Sequence, residues 1–509
     1  MNKPSLVLAV LILPLVACTS CTVTPPIRKS HSPSPVPEPT TRHMVVESMS
    51  GLYVDPRDPT DRAELLKAIR AKDFAQLPAE LRYPSLMAAS LIVRQMGHDK
   101  QAQDLAVRGT AIDIADYRGW AVRAQTAFTV HDFADAGQSV TVVATRWPDQ
   151  LGSIEPELIW RIQHHLQLAG QTDTDYKMLK ALFNAGWKPY NVEPNHLWQH
   201  LALLHLERNE KQRAAIVASR ITSARTVLSM RVDKRFDPLI SQDPKAFNVD
   251  HLVTTQIKMA QARVEAHPNQ LRPIADLQSL YLATAQYARV LAVSNAAVAA
   301  TRTGKAKETY SDFDDQYNWI LDARSRAFEA QGYWEKAVLT EVLAARHLED
   351  SGINVSQRIN LAMLYASLKQ PHKAARALAG LTLMTPYGHM QLEMVKLQIA
   401  VEKNDASAAK ASMGYLRKHR DDAIGTWQRA LLYRGNLNAA ARLLIERLEN
   451  PSLRNAALVS MQHYIENNAT PVEQLIQSRW NIVAARPDVQ AAVRKVGRLE
   501  RFNLTEPMR

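Results

Sequence analysis

Two consecutive stretches of 34 residues decide the fold. They read YPSLMAASLIVRQMGHDKQAQDLAVRGTAIDIAD (83–116) and YRGWAVRAQTAFTVHDFADAGQSVTVVATRWPDQ (117–150). Both carry small residues at positions 8 and 20 of the stretch, namely Ser90 and Ala102 in the first and Ala124 and Ala136 in the second. Small residues at these positions let two helices approach closely, while bulky residues between them fill the space between neighbouring pairs. The spacing therefore predicts helical hairpins that stack on one another.

The same spacing returns further along the chain. Clear copies begin at Asn195, Asn318 and Val355, and weaker copies begin near Pro156, Gly388 and Asp421. The pattern resembles the tetratricopeptide repeat, a helix–turn–helix of 34 residues, over more than half of the chain. The resemblance implies an all-α fold, an α-solenoid of hairpins in two arrays joined by an irregular helical segment. Arg123 and Arg324 replace the family's aliphatic residue at position 7, so we expect an irregular superhelix.

The segments between and around the copies complete the predicted organisation. We expect a signal peptide (1–17), a lipid anchor and Pro-rich tether (18–45), an N-terminal helical segment (46–82), an N-terminal array (83–230), an irregular helical connector (231–317), a C-terminal array (318–485) and a capping helix (486–509). The polar face of the last segment carries Arg494, Lys495, Arg498 and Arg501. It fits either a solubilising cap on the solenoid or a helix that docks on a membrane surface or an acidic partner.

The N-terminal residues predict a targeting signal. Lys3 is followed by an apolar run that is too short to span a membrane and fits the core of a secretory signal. The run ends in Leu15-Val16-Ala17-Cys18, which resembles the bacterial lipobox. The resemblance implies cleavage after Ala17, lipid on the Cys18 thiol and acylation, as with palmitate, of the new amino terminus. The residue after Cys18 is Thr19 rather than Asp, which by resemblance favours the periplasmic face of the outer membrane over the inner membrane.

A Pro-rich segment follows the anchor. Residues 22–43 contain six prolines with Ser and Thr between them, a composition that favours extended polyproline II. We interpret it as a spacer between membrane and folded body, with a ligand for a Pro-binding partner as the alternative. At about 3.1 Å per residue, the spacer reaches at most roughly 70 Å.

The composition excludes several classes of protein. The chain has 509 residues, of which 17 are Gly and only 6% are aromatic, values that argue against a β-sandwich or barrel. Both cysteines lie within the first 21 residues, so a disulfide scaffold and a Cys-ligated metal site are excluded for the body. The net charge of +12 is modest for this length. Without a nucleic-acid motif, it predicts no nucleic-acid partner.

Catalytic signatures are missing from the sequence. It contains no G-x-S-x-G, G-x-G-x-x-G, complete P-loop or H-E-x-x-H, so we predict neither an enzyme nor a cofactor. His196, His200 and His205 fall on one predicted helix. His196 and His200 are four residues apart and could share a face, but a metal site would need a third protein ligand that the sequence does not identify. We therefore expect packed or surface histidines.

The family resemblance also implies a binding surface. In tetratricopeptide arrays, the first helix of each hairpin lines a concave groove with its positions 2, 5, 9 and 12. These positions hold Trp319, Asp322, Arg326 and Glu329 in one copy and Ser356, Ile359 and Met363 in the next. Trp and Arg are frequent hot spots in interfaces, so Trp319 beside Arg326 is a candidate anchor. The alternative is that Trp319 packs against the connector.

Three functions remain open at this stage. The first is a lipid-anchored adaptor that binds other envelope proteins serving assembly, secretion or cell-wall synthesis. The second is an envelope enzyme with a buried polar cluster in residues 231–317. The third is a small-molecule sensor with a deep pocket where the two arrays meet. The sequence leaves the oligomeric state open.

Overall fold

The computed structural model describes residues 59–347, 354–382 and 384–506, without the side chain of Asp61. Cys18 and the predicted signal peptide and tether lie outside the described residues. The fold is all-α and TPR-like, a solenoid of helical hairpins with two short strands. Among the described residues, no helix is long and apolar enough to cross a membrane.

Four hairpins form the N-terminal part, after a first helix α1 (Pro59–Ala68). Their helices are α2 (Ala79–Gln95) and α3 (Asp99–Thr110), α4 (Tyr117–Thr129) and α5 (Phe133–Arg146), α6 (Pro156–Leu168) and α7 (Thr172–Asn184), and α8 (Asn195–Glu207) and α9 (Lys211–Ala218). The next helices are α10 (Ala224–Val232), α11 (Asp237–Ile240) and α12 (Val249–Ala266). Short 3₁₀ turns lie at Phe74–Gln76, Pro148–Ser153, Pro189–Asn191 and Lys234–Phe236.

Five hairpins follow. Their helices are α13 (Arg272–Ala283) and α14 (Tyr287–Val293), with α15 (Asn295–Arg302) and α16 (Ala306–Thr309) after them, α17 (Phe313–Ala330) and α18 (Trp334–Arg346), α19 (Val355–Ser367) and α20 (Pro371–Leu378), α21 (Pro386–Glu402) and α22 (Ala406–Lys418), and α23 (Ile424–Tyr433) and α24 (Leu437–Glu449). A 3₁₀ turn at Arg420–Asp422 precedes α23. The chain closes with α25 (Arg454–Ser460), β1 (His463–Ile465), α26 (Pro471–Ala484), α27 (Pro487–Val496) and β2 (Arg501–Thr505).

A left-handed residue ends the first helix of every one of these nine hairpins in the described chain. These nine turn residues, each with a positive φ, are Gly97, His131, Gly170, Asn209, Ala285, Gly332, Lys369, Asn404 and Gly435. In each case the next amide donates to the carbonyl five residues back, as from His98 to Val93 and from Asn436 to Leu431. This Schellman motif satisfies carbonyls at the helix end and turns the chain into the second helix.

In most hairpins the close approach of the two helices is made in one of two ways. In three hairpins two fully buried alanines face each other, as Ala124 and Ala136 do. In others a polar side chain bonds the carbonyl twelve residues on: Ser325 Oγ donates to Ala337 at 3.0 Å and Gln428 Nε2 to Ala440 at 2.8 Å. A buried polar side chain is tolerated there because it is hydrogen-bonded.

The two arginines that depart from the family pattern bond neighbouring helices. Arg123 pairs with Asp135 at 2.6 Å within its own hairpin. Arg324 donates to the Leu291 carbonyl at 2.6 Å and to Ser294 Oγ at 2.7 Å in the preceding hairpin. Polar bonds thus replace the apolar packing that an aliphatic residue gives at position 7.

The segment predicted as an irregular connector contains a regular hairpin. In α13–α14, Gln278 Nε2 donates to the Val290 carbonyl at 3.1 Å, and Ala285 is the left-handed turn residue. Gln stands where the clear copies carry Ser or Ala, and Ala where several carry Gly. At these two positions the copy departs from the repeat pattern, although Ile274, Leu277 and Tyr281 match its bulky positions.

The closing segment differs from the predicted capping helix. Its helix ends at Val496, and the chain continues as β2, which pairs in parallel with β1. Phe502 is buried there rather than lying along a helix. Gly497 follows the helix with an extended backbone and lies against Val232, where an added Cβ would come within 2.4 Å of the carbonyl oxygen, so the position accepts only glycine.

This last segment joins the C-terminal end of the solenoid to its middle. The Arg498 amide donates to the Val232 carbonyl at 3.0 Å, and Thr505 Oγ1 donates to the Leu282 carbonyl at 3.2 Å. One hydrophobic core runs through both ends, from Ala124 to Leu504. The second half of the chain is therefore closed on itself, and its end packs against α10, α12 and α13.

Candidate functional site

The hairpin α17–α18 carries four of the predicted groove residues. Its first helix begins with Phe313, buried beside Tyr317 and His347, and its two helices are joined by the Ser325–Ala337 bond. The next hairpin begins with α19, whose N-cap Asn354 accepts from the Gln357 amide at 3.1 Å. These contacts set which side chains of α17, α18 and α19 face one another.

A buried polar cluster lies between these helices. Asp322 is 6% exposed, and its Oδ2 pairs with Arg326 Nε at 2.8 Å one turn later on α17. Its Oδ1 accepts from Asn360 Nδ2 of α19 at 2.9 Å. One guanidinium and one amide thus bond to the two oxygens of this carboxylate.

Two further carboxyls share the single Arg326. Burial, offset in part by Arg326, raises the pKa of Glu329 to about 7, and nearby Asp322 adds to the rise. Burial also raises the pKa of Glu341 on α18 well above its usual range, with repulsion from Asp322 and Glu329 contributing. Because three acids face one base, the arrangement favours a protonated Glu341 at neutral pH.

Glu341 is the acid that sequence reasoning missed. It is 2% exposed, and among the residues that the structure describes its Oε1 has no hydrogen-bond partner. It stands at position 24 of its copy, where the family carries a packing residue. A charged residue at a packing position was the available signal. Within the described chain, no group of three or more His, Asp or Glu side chains is arranged to hold a metal ion.

The predicted groove residues divide between surface and interior. Trp319 is 40% exposed, and Ser356 is exposed on the neighbouring helix. Arg326, Glu329 and Met363 are half-buried. Asp322 and Ile359 are buried, so they cannot meet a partner directly. Partner binding by these seven residues stays a prediction, and the burial of Asp322 and Ile359 favours a supporting role for these two.

A segment of the chain itself crosses the first helices of the C-terminal array. Asn468 Nδ2 donates to the Ala330 carbonyl at 2.9 Å, and Arg479 donates to the Leu432 carbonyl at 2.9 Å. Arg429 of α23 pairs with Glu473 of α26. Trp480 and Ile476 of α26 belong to the main core. The chain's own α26 thus covers part of the surface that the family resemblance assigns to a ligand.

The histidines of α8 are placed in different surroundings. His205 is 3% exposed, and its Nδ1 lies 2.6 Å from Glu210 Oε2. His200 Nε2 lies 2.7 Å from Asp175 Oδ2. His196 lies 6.2 Å from the Trp160 ring, centre to centre. The first two are held by carboxylates of the preceding and following helices, as structural histidines are.

The buried polar groups of residues 231–317 are spread over separate helices. Asp233 accepts from the Arg235 amide at 3.0 Å and pairs with its guanidinium at 2.7 Å. Gln278 joins α13 to α14, and Ser294 Oγ donates to the Val290 carbonyl at 3.1 Å. These contacts hold turns and helix ends together.

Comparison with known proteins gives similarities of structure alone. Neither a family model nor a curated protein matches the sequence. A solved structure of the APC/C hetero-tetramer Cut9–Hcn1 is similar with 12% identity and a TM-score of 0.26, covering 89% of this chain and 95% of that one. Naa15/Naa10 bound to HypK-THB is similar with 12% identity and a TM-score of 0.26, covering 89% and 87%.

A third similar structure is the TPR domain of P58(IPK). Its identity is 10% and its TM-score 0.20, covering 81% of this chain and 99% of that one. With TM-scores this low, the fold assignment rests on the hairpins themselves: their spacing, their left-handed turns and their paired small or hydrogen-bonded residues.

Proposed function

We propose that this protein is a lipid-anchored adaptor on the periplasmic face of the bacterial outer membrane. It binds other envelope proteins that serve assembly, secretion or cell-wall synthesis. The inner membrane is the alternative location. The solenoid provides the binding surface, Cys18 carries the lipid anchor, and residues 22–43 are the spacer between the two.

One observation carries the adaptor function. Trp319 is 40% exposed on α17, with the Asp322–Arg326 ion pair one to two turns further along the same helix. An exposed Trp next to a guanidinium that is held in place supplies large apolar area and charge at low entropic cost. Both features are typical of an interface anchor.

The second helix of the same hairpin adds an exposed apolar face. Leu339 is 66% exposed and Leu343 55% exposed, one turn apart on α18. Residues four apart lie on the same side of a helix. Two adjacent exposed leucines extend the surface that this hairpin offers to a protein partner.

The anchor rests on the sequence. Leu15-Val16-Ala17-Cys18 follows a short apolar run, and several acyl chains on one residue anchor a protein stably where one chain does not. The Pro-rich residues 22–43 then let the folded body reach partners at a distance from the membrane.

Crosslinking in intact cells tests the partner function. A photoreactive residue in place of Trp319 is expected to capture a specific envelope protein. Trp319→Ala is expected to weaken copurification of that protein by about tenfold, since a central Trp contributes more than about 1 kcal/mol. Tyr387→Ala, an exposed aromatic on α21, is the matched control. Equal capture by both variants would remove Trp319 from the interface.

Membrane fractionation tests the anchor independently. Cys18→Ser is expected to abolish labelling with palmitate and to release the protein from the membrane. Thr19→Asp keeps the lipid and is expected to move the protein to the inner membrane. Retention of Cys18→Ser on the membrane would contradict the anchor, and an unchanged location of Thr19→Asp would contradict the assignment to the outer membrane.

A further inference from the structure

Basic side chains from distant segments of the chain meet where the second half of the molecule closes on itself. Lys234 Nζ donates to the Arg494 carbonyl, 260 positions later in the chain. Arg498 pairs with Asp237 at the same junction. The end of α27 therefore lies against the 3₁₀ turn at Lys234–Phe236 and brings its own cations there.

A third segment adds Arg454, the first residue of α25. Its Nε donates to the Leu448 carbonyl at 2.9 Å. Burial lowers the pKa of Arg454, and repulsion from Arg235 lowers it further, while Asp233 offsets part of this effect. Arg235 pairs with Asp233 at 2.7 Å. Arg235 and Arg454 are thus close enough to repel each other, although Asp233 neutralises one charge.

Together these side chains form a surface that we call the basic patch: Lys234, Arg235, Arg454, Arg494, Lys495 and Arg498. Two acids, Asp233 and Asp237, pair with it, so that six cations meet two anions. Lys234, Arg494 and Lys495 are exposed. Among the residues that the structure describes, Arg494 and Lys495 form no ion pair. The patch therefore presents a surplus of positive charge to the solvent.

The basic patch has no apolar surface beside it. α27 buries its apolar face, with Val489, Val493 and Val496 packed into the core. In the described part of the chain, no large apolar side chain of α10, α25, α27 or β2 is exposed. A helix that inserts into a bilayer, or a protein interface with an apolar centre, needs such a surface. The patch is therefore suited to a partner that presents negative charge alone.

We propose that the basic patch contacts the anionic phospholipid headgroups of the membrane that holds the protein. The phosphates of a bilayer form an anionic plane that Arg and Lys contact without a complementary pocket. Each Lys or Arg near such a plane strengthens binding about fivefold, so the patch binds weakly from solution. The inference rests on the proposed anchor at Cys18, because a tethered body stays close enough for a weak contact to form. This second contact orients the solenoid on the membrane.

Vesicle flotation of the purified full-length Cys18→Ser chain tests the contact, because this variant carries no lipid of its own. Vesicles of phosphatidylglycerol and phosphatidylcholine are expected to carry the chain upward at about 0.05 M salt and to release it at about 0.5 M salt. Vesicles of phosphatidylcholine alone are expected to leave it behind. Equal flotation with both kinds of vesicle, or retention at high salt, would overturn an electrostatic contact.

Absence of flotation with the anionic vesicles, at about 5 mM lipid and low salt, would overturn the proposal. An acidic protein face would then be the partner that fits the patch.

Two matched double variants, both made in the Cys18→Ser chain, locate the contact. Arg494→Gln with Lys495→Gln is expected to weaken binding to anionic vesicles about twentyfold, because two cations leave the surface. Lys410→Gln with Arg417→Gln removes the same charge from the exposed side of α22 and is expected to leave binding unchanged. Equal weakening by both pairs would overturn the proposal, since net charge rather than the patch would then attract the chain.

Thermal unfolding shows whether the variants keep the fold. Both pairs are expected to unfold at the temperature of the Cys18→Ser chain, because all four side chains are exposed. If the first pair does not fold, Lys495→Gln alone decides, with an expected weakening of about fivefold. Unchanged binding would then overturn the proposal. These measurements do not depend on acylation of Cys18, so failure of the patch is distinguishable from failure of the anchor.

Discussion

Arg231 donates twice to the same carboxylate oxygen of Glu500, 269 positions later in the chain. Its Nε and Nη2 lie 2.9 Å and 2.7 Å from Glu500 Oε2. The pair stands beside the Arg498–Val232 backbone bond and the bridge between Asp233 and Gly497. An array of hairpins that contact only their neighbours does not form such a contact. The pair therefore marks the closure of the second half of the molecule.

The closure pair has a measurable effect on stability. Arg231→Met is expected to lower the free energy of unfolding by about 1–2 kcal/mol, because Glu500 is left partly buried without its partner. The pair of Arg108 and Asp104, 3.7 Å apart with both side chains exposed, is the control. Arg108→Met is expected to cost less than about 1 kcal/mol. If urea denaturation shows equal losses of unfolding free energy for the two variants, the closure pair does not stabilise the fold more than an exposed ion pair.

The acidic cluster predicts a stability that falls as pH rises. Glu329, with a pKa raised from 4.5 to about 7, binds its proton more tightly in the folded chain than in the unfolded one. The stability that it contributes is complete below its unfolded pKa and is lost as pH rises through its folded pKa. Burial shifts Glu341 in the same direction, so it adds to the same loss.

Glu341→Gln tests this dependence. The variant is expected to melt at a higher temperature than the wild type at about pH 8 and at a similar temperature at about pH 5. Glu335→Gln, on the exposed side of the same helix, is the control and is expected to follow the wild type at both pH values. A Glu341→Gln variant that is less stable than the wild type at the higher pH would show that the buried carboxylate is charged and stabilising.

Two glycines test the hairpin turn against the helix interior. Gly97 has a φ of 80°, and an added Cβ there would meet no neighbour. Gly97→Ala is therefore expected to cost about 1–2 kcal/mol through backbone strain alone. Gly414 lies inside α22 with open space around it, so Gly414→Ala is expected to stabilise by about 0.5–1 kcal/mol. Thermal melts giving both changes the same sign would contradict this account of the turn.

The sequence determined the repeating unit, because the unit is local. Ser90, Ala102 and Gly97 lie within thirteen positions of one another, and the close approach and turn that they make follow from side-chain size and backbone preference. The copy in α13–α14 departs from the pattern because Gln278 achieves by a hydrogen bond what Ala124 achieves by small size. A pattern defined by residue size does not include a glutamine at this position.

Only the tertiary structure decided where the ends of the array meet. Each hairpin is rotated slightly against the last, and these rotations add up over the whole array. The sum brings Glu500 to Arg231 and lays α26 over the first helices. It depends on loop lengths and packing along the whole array, so no window of the sequence contains it. The burial of Glu341 beside Asp322 follows in the same way from contacts between successive helices.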